Sequence, residues 1–230
     1  QLLGYRFSPC GRFVFAGSVD NAVHRWELES GQHTALPSHG SWVAALAFHP
    51  DGKRLLSSDY IGGIRCWNYA DEKPAPVWSL DDAHAAAIRA ISISADGKFF
   101  ATTGHDRVVR VWSAADGKLQ HEFSGHGSPA FAIAFHPDSQ SVVSAEQFGV
   151  IKHWDITTGK HVRDIDGGAL WTDASLNGGA HTCGIRCLRF DATGDVLASG
   201  GLTELTDGDR RGGDASILLL NWKDGSRKDL

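Results

Sequence analysis

The stretch HAAAIRAISISADGKFFATTGHDRVVRVW, His84 to Trp112, holds a His, an alternating run, Asp96-Gly97, a second run over Phe99 to Thr103 and a third over Val108 to Trp112. Period-two alternation punctuated by Asp-Gly reads as short strands joined by tight turns. The spacing of 28 residues from His to Trp recurs from His39 to Trp67 and from His126 to Trp154. Twelve residues after each His stands a turn pair, Asp51-Gly52, Asp96-Gly97 or Asp138-Ser139, and Thr193-Gly194 holds the same offset from His181. His181 therefore opens another copy, whose Trp is read as Trp222, 41 residues on. Counted back from Trp26, the first copy has its turn at Cys10-Gly11 and its His before Gln1. Large apolar residues lie seven and nine after each His (Leu46/Phe48, Ile91/Ile93, Ile133/Phe135, Leu188/Phe190), with small ones at six and eight except for Cys187 and Arg189. A fourth run, such as Lys118 to Phe123, completes a meander. Four short strands per repeat of this length are the signature of a propeller blade, whose inner strands are covered by neighbouring blades.

These residues resemble the WD40 repeat family over nearly the whole chain. The matches are Ser38-His39-Gly40, Phe48-His49-Pro50-Asp51-Gly52, Ser94-Ala95-Asp96-Gly97, Val108-Val109-Arg110-Val111-Trp112, Gly125-His126 and Trp154-Asp155; elsewhere the Trp precedes Glu27, Asn68, Ser113 or Lys223. The resemblance implies an all-β fold, a WD40-type β-propeller with five four-stranded blades at about 3–38, 39–83, 84–125, 126–180 and 181–230. Such propellers close with six to eight blades, so five form an arc. The chain starts at Gln1 and contains no Met, so it is read as truncated at its N-terminus and at its C-terminus, with flanking sequence expected to supply the remaining blades.

In this family the repeat His, a Ser or Thr ten before the Trp, an Asp six before it and the Trp form a buried hydrogen-bonded tetrad. A buried indole N–H needs an acceptor, and a carboxylate beside an imidazole fixes its tautomer. By position only His84, Thr102, Asp106 and Trp112 make a complete set. His39, Ser57 and Trp67 meet Ile61 at the Asp position, and His126, Ser144 and Trp154 meet Phe148. The first copy keeps Asp20 and Trp26 with Ala16 for the hydroxyl; the last keeps His181, Ser199 and Trp222. Recurrence at fixed repeat positions makes these structural residues, and no catalytic residue is expected.

Composition narrows the function. The net charge of −5 lacks the basic field of a nucleic-acid or anionic-membrane binder. No apolar run approaches the roughly 20 residues of a membrane helix, and the chain is expected to be soluble. Four cysteines are too few for a disulfide scaffold, and no Asn-x-Ser/Thr site occurs; a cytoplasmic location is favoured. His181, Cys183 and Cys187 offer zinc-type ligands, but Cys-x3-Cys without a second pair favours a core cysteine at Cys187. His121 to His126 is one residue too long for a zincin motif. Asp207 and Asp209 open something like a calcium loop, yet Arg211 stands at a ligand position and Leu218 where the bidentate Glu belongs. Gly-rich phosphate loops and a Gly-x-Ser-x-Gly elbow are absent. No metal and no cofactor are expected.

Two insertions stand out. Trp154 to His181 spans 27 residues where other connectors span 13, 17 and 14, and His181 to Trp222 is equally overlong. The extra residues fall around 168–179 and 202–213, and the resemblance puts both on the narrower face of one blade. Long loops on a rigid scaffold are where binding residues gather. The candidates there are Trp171, Asp173, Arg210 and Arg211, joined on the same face by Val19, Tyr60, His105, Gln147, Trp42 and Phe131. The expected function is a non-catalytic protein–protein interaction scaffold binding a protein or peptide on that face. The alternative is a docking or ligand-sensing domain of a larger multidomain enzyme or signalling protein.

Overall fold

Each of the five turn pairs places its second residue in the left-handed region, with φ of 70° at Gly11, 68° at Gly52, 71° at Gly97, 61° at Ser139 and 84° at Gly194. In each the amide of that residue donates to a carbonyl three back, as Gly97 N does to Ser94 O at 3.0 Å. That geometry turns one strand directly onto the next, which is why the Asp-Gly punctuation recurs. The computed structural model describes residues 1–170, 184–202 and 215–228.

The runs between turns are strands in antiparallel meanders. The first blade is β1 (Leu2–Phe7), β2 (Phe13–Ser18), β3 (Ala22–Glu27) and β4 (His33–Pro37). The second is β5 (Val43–Phe48), β6 (Arg54–Asp59), β7 (Ile64–Asn68) and β8 (Pro76–Leu80). The third is β9 (Ile88–Ile93), β10 (Phe99–Gly104), β11 (Val109–Ser113) and β12 (Leu119–Phe123). The fourth is β13 (Ala130–Phe135), β14 (Ser141–Glu146), β15 (Val150–Asp155) and β16 (Lys160–Asp166). The fifth has β17 (Gly184–Phe190), β18 (Val196–Leu202) and β19 (Ala215–Asn221), with a bridge from Leu220 to Arg227 where a fourth strand would pair. Helix among the described residues is confined to a 3₁₀ turn at Gly168–Leu170, whose Leu170 is buried between blades four and five.

Alternating side chains of each sheet fill the spaces between blades. Phe13, Phe15 and Val23 pack on Val43, Leu55, Trp67 and Tyr69. Leu56, Ile64 and Cys66 meet Ile88, Phe100 and Trp112; Val109, Val111 and Phe123 meet Ile133, Phe135, Val142 and Trp154. Val143 and Ile151 meet Ile185, Leu197 and Leu220. Four successive interfaces therefore link five blades in chain order. Polar latches reinforce them: Arg25 donates to the carbonyls of Tyr69 and Asp71 at 2.8 and 2.7 Å, and the His-Pro turns put His49 Nε2 2.7 Å from Gly97 O and His136 Nε2 3.2 Å from Gly194 O. On the first and last strands of the described residues, Tyr5 and Phe7 of β1 and Ile217 of β19 stand exposed.

The register of blade five corrects the assignment of Trp222. Trp67 pairs with Leu55, Trp112 with Phe100 and Trp154 with Val142, each two residues before the Ser or Thr of its blade. In blade five Ser199 pairs with Leu218 and Leu197 with Leu220, so Leu220 takes the Trp position. Trp222 lies beyond it, half-buried, with its ring 5.3 Å from His136, 4.9 Å from Phe190 and 4.5 Å from His153. The Arg163 guanidinium covers it at 4.8 Å. It clamps blade five to blade four rather than joining a tetrad.

This clamp is sensitive to acid. Burial, then Arg163, pushes His153 down to about 4, and its Nδ1 is buried without a hydrogen-bond partner. The unfolded chain takes up a proton here near pH 6.5, whereas the native fold resists until about pH 4. Stability is therefore full above pH 6.5 and falls between the two values. Solvent screening of the partly exposed ring limits the effect to about 1 to 2 kcal/mol. Denaturant unfolding at pH 7 and pH 4.5 should show a smaller acid loss in His153→Phe than in the parent. Equal losses would contradict the assignment.

Candidate interaction face and central channel

In blade three the tetrad forms as expected: Trp112 Nε1 donates to Thr102 Oγ1 at 2.8 Å, Thr102 Oγ1 lies 2.7 Å from His84 Nε2, and His84 Nδ1 lies 2.9 Å from the Asp106 carboxylate. The same chain exists in blade two, Trp67 to Ser57 at 2.9 Å and Ser57 to His39 at 2.7 Å, and in blade four, Trp154 to Ser144 at 2.8 Å and Ser144 to His126 at 2.7 Å. Those two blades do not lack an acid. Asp59, two residues before Ile61, reaches His39 Nδ1 at 2.9 Å; Glu146, two before Phe148, reaches His126 Nδ1 at 3.1 Å. The displaced positions instead turn Ile61 and Phe148 outward, 58% and 39% exposed.

Burial raises these carboxyls, but the His bonds and backbone N–H groups outweigh it and hold Asp59, Asp106 and Glu146 below the usual carboxylate range. Burial pushes His84 down more than Asp106 pushes it up. In blade three the site is therefore an ionised Asp106 carboxylate accepting from the Nδ1–H of a neutral His84 imidazole, whose Nε2 accepts from the Thr102 hydroxyl. Ser57, Thr102 and Ser144 are wholly buried with both hydroxyl functions engaged, so the constellation braces its blade and offers no accessible nucleophile. The first blade departs from the pattern. Trp26 is in register opposite Val14 but lies stacked on His33 at 5.0 Å, while Asp20 bonds His24 at 2.9 Å on the surface. Ser199 Oγ is buried without a hydrogen-bond partner among the described residues; His181 lies outside them.

The face above these sites is repeated too. Val19, Tyr60, His105 and Gln147 each donate the backbone N–H to the carbonyl at the entry of their inner strand, at 2.9 to 3.1 Å to Gln1, Trp42, Ala87 and Pro129. Trp42, 48% exposed, lies 5.5 Å from Tyr60, and His105 lies edge-on to Phe131 at 5.6 Å. Among the described residues, inner strands from all five blades line a shared central channel, and Leu3, Ala44, Tyr60, Arg89, Phe131 and Arg186 lie at its mouth. The structure thus brings together Trp42, Tyr60, His105 and Phe131. Trp171, Asp173, Arg210 and Arg211, with Cys183, Asp207 and Asp209, lie outside the described residues. Cys187 lines the channel and is exposed, which corrects its reading as a core cysteine. Among the described residues no three His, Cys, Asp or Glu side chains are grouped to hold a metal ion.

Arg89 and Arg186 were not anticipated. They stand five after the repeat His, where the other copies have Ala44 and Phe131. A charge on a strand otherwise built from apolar and small residues was the available signal. Arg89 donates to the Tyr60 hydroxyl, and its guanidinium lies 5.1 Å from the Tyr60 ring and 5.2 Å from the Phe131 ring. The Arg186 guanidinium lies 4.8 Å from the same Phe131 ring.

Five successive meander sheets around a shared channel, three of them braced by Trp–hydroxyl–His–carboxylate chains, define a β-propeller of repeated blades. The sequence model described as "WD domain, G-beta repeat" matches residues 3–27, 31–68, 75–113, 117–155 and 175–209, and the chain belongs to this family. It is similar to the nuclear distribution protein PAC1 of Tuber melanosporum, 37% identical over 73 residues, which are 32% of this chain and 16% of that protein. Nuclear distribution protein nudF 1 of Talaromyces marneffei is 38% identical over 72 residues, 31% of this chain and 16% of that protein. The PAC1 protein of Coccidioides posadasii is 36% identical over 77 residues, with shares of 34% and 16%. The similarity thus spans about one sixth of these relatives.

Proposed function

We propose that this chain is a non-catalytic protein–protein interaction scaffold that binds a protein or peptide segment over the channel mouth, on the face bearing Trp42, Tyr60, His105, Phe131 and Gln147. The observation that carries this reading is the exposed Trp42 packed on Tyr60 beside the mouth. Large amphipathic aromatics in such a position are the usual anchors of an interface. Backbone bonds already fix the entries to the inner strands, so little ordering entropy opposes binding. Trp171, Asp173, Arg210 and Arg211 of the two insertions, which lie outside the described residues, belong to this proposal as further contacts.

Capture of partners from a cell extract by the tagged chain tests this reading. Trp42→Ala with Tyr60→Ala should abolish capture of at least one protein that the parent retains, with the unfolding midpoint unchanged. Capture indifferent to both substitutions and to Arg210→Glu with Arg211→Glu would contradict it.

A further inference from the structure

We propose that His24 and His33, on the neighbouring strands β3 and β4 of blade one, hold a divalent metal ion of the class imidazole prefers, zinc or nickel, with Asp20 orienting the first ligand from behind. The site shares no residue with the channel mouth and stands independently of the reading of that face.

Blade one keeps part of the bracing constellation and opens it to solvent. In blades two, three and four a carboxylate meets one imidazole nitrogen, and a buried hydroxyl closes off the other. Blade one has Ala16 in place of that hydroxyl, and His24 pairs directly opposite it. Asp20 lies 2.9 Å from His24 Nε2, so a carboxylate–imidazole pair survives, now at the surface. The far nitrogen of this ring, Nδ1, meets a second imidazole, His33 Nε2, at 2.7 Å.

That chain of contacts decides where the protons go. A surface aspartate is ionised at neutral pH and only accepts, so in the neutral His24 ring the hydrogen sits on Nε2 and Nδ1 presents a bare lone pair. The contact between the rings then uses the hydrogen on His33 Nε2. When His33 carries its hydrogen on Nδ1 instead, both facing nitrogens are bare, and a metal ion takes the place of the shared hydrogen with no net change in protonation. A carboxylate behind a metal-binding imidazole fixes the orientation of the ring and raises its basicity.

Strand register supplies the second ligand. His33 pairs with Trp26 and His24 with Ala35, so the two imidazoles are diagonal neighbours on one face of the sheet. Metal–nitrogen bonds of about 2.0–2.1 Å put two adjacent ligand nitrogens about 3 Å apart, so the pair opens slightly and tilts. His33 is exposed and makes that movement, while Asp20 holds His24. The Trp26 ring lies 5.0 Å from His33 and 5.7 Å from His24 and walls one side. Two side chains touch the ion and water fills the rest of its shell, in keeping with the lack of any three-ligand cluster among the described residues.

Nickel(II) titrated into the full chain tests the proposal, because an ion held between these rings quenches the adjoining Trp26 indole. Saturable quenching is expected that Trp26→Phe removes while the binding heat in calorimetry remains. His33→Ala, His33→Gln and Asp20→Asn should each weaken binding by about tenfold or more, the last although it leaves both ligands in place. His161→Ala is the control. That exposed imidazole also bonds a carboxylate, Asp164 at 2.7 Å, but it faces no second imidazole among the described residues, and its loss should leave the affinity unchanged. Zinc should displace nickel and restore the fluorescence. Quenching that survives in Trp26→Phe, equal losses in His33→Ala and His161→Ala, unaltered affinity in Asp20→Asn, or failure of zinc to compete would overturn the proposal.

Discussion

Asp59→Ala is expected to lower the unfolding free energy by about 2 to 4 kcal/mol, the cost of stranding several buried donors together. The Asp59 carboxylate is fully buried and accepts from His39 Nδ1 at 2.9 Å and from the amides of Ile61 and Gly63 at 3.1 and 2.7 Å. Its removal frees the His39 ring, which in turn loosens the Ser57–Trp67 pair at the centre of blade two. Ile61→Ala, at the position where the repeat pattern puts its acid, should change stability by less than about 0.5 kcal/mol because that side chain is mostly exposed. Urea unfolding of both variants at pH 7 checks the contrast. Because the folded carboxyl is held below its ordinary value, its contribution is complete above about pH 4 and is lost as pH falls through the folded value. The gap between parent and Asp59→Ala should therefore narrow in acid. Similar midpoints for the two variants at pH 7 would show that Asp59 does not complete the tetrad.

Gly62→Ala should cost about 3 kcal/mol or more, through backbone strain combined with an unavoidable overlap. Gly62 has φ +96°, and a methyl there would run into the backbone carbonyl of His84. The Gly62 carbonyl also accepts from Ala83 N at 3.1 Å and His84 N at 3.3 Å, so relief by moving the strand apart would break the join between blades two and three. Gly31→Ala is the matched control: its φ of +69° is also left-handed, but a methyl meets nothing within 4 Å, and the cost should stay near 1 kcal/mol. Comparable losses in the two variants would remove the packing part of the explanation.

The propeller was legible because its signals are local and repeated. A turn pair twelve residues after each His needs a left-handed second residue, and Gly52, Gly97 and Gly194 supply it without strain. The tetrads were only half legible. A fixed offset of six before the Trp points to Ile61 and Phe148, whereas the carboxylates reach the same imidazoles from Asp59 and Glu146, two residues earlier. Counting along the chain cannot show that two positions converge on one Nδ1. Trp222 misled for another reason: the insertion hides the strand register, and only the pairing of Ser199 with Leu218 shows that Leu220 replaces the indole. Tyr60, His105, Trp42 and Phe131 follow from repeat position, while Arg89 and Arg186 do not, because the same offset from the repeat His holds Ala44 and Phe131 in the other copies and so carries no repeated charge signal.

The most direct test of the binding face is site-specific photo-cross-linking in cells. A benzophenone side chain placed at His105, whose ring lies against Phe131 of the mouth, or at Gln147, whose amide bonds the Pro129 carbonyl at the entry to the inner strand of blade four, is compared with one at Val162, exposed on the outer strand of blade four. The account predicts adducts to another protein from the two mouth positions and none from Val162. Adducts formed from Val162 alone, or equally from all three, would contradict it.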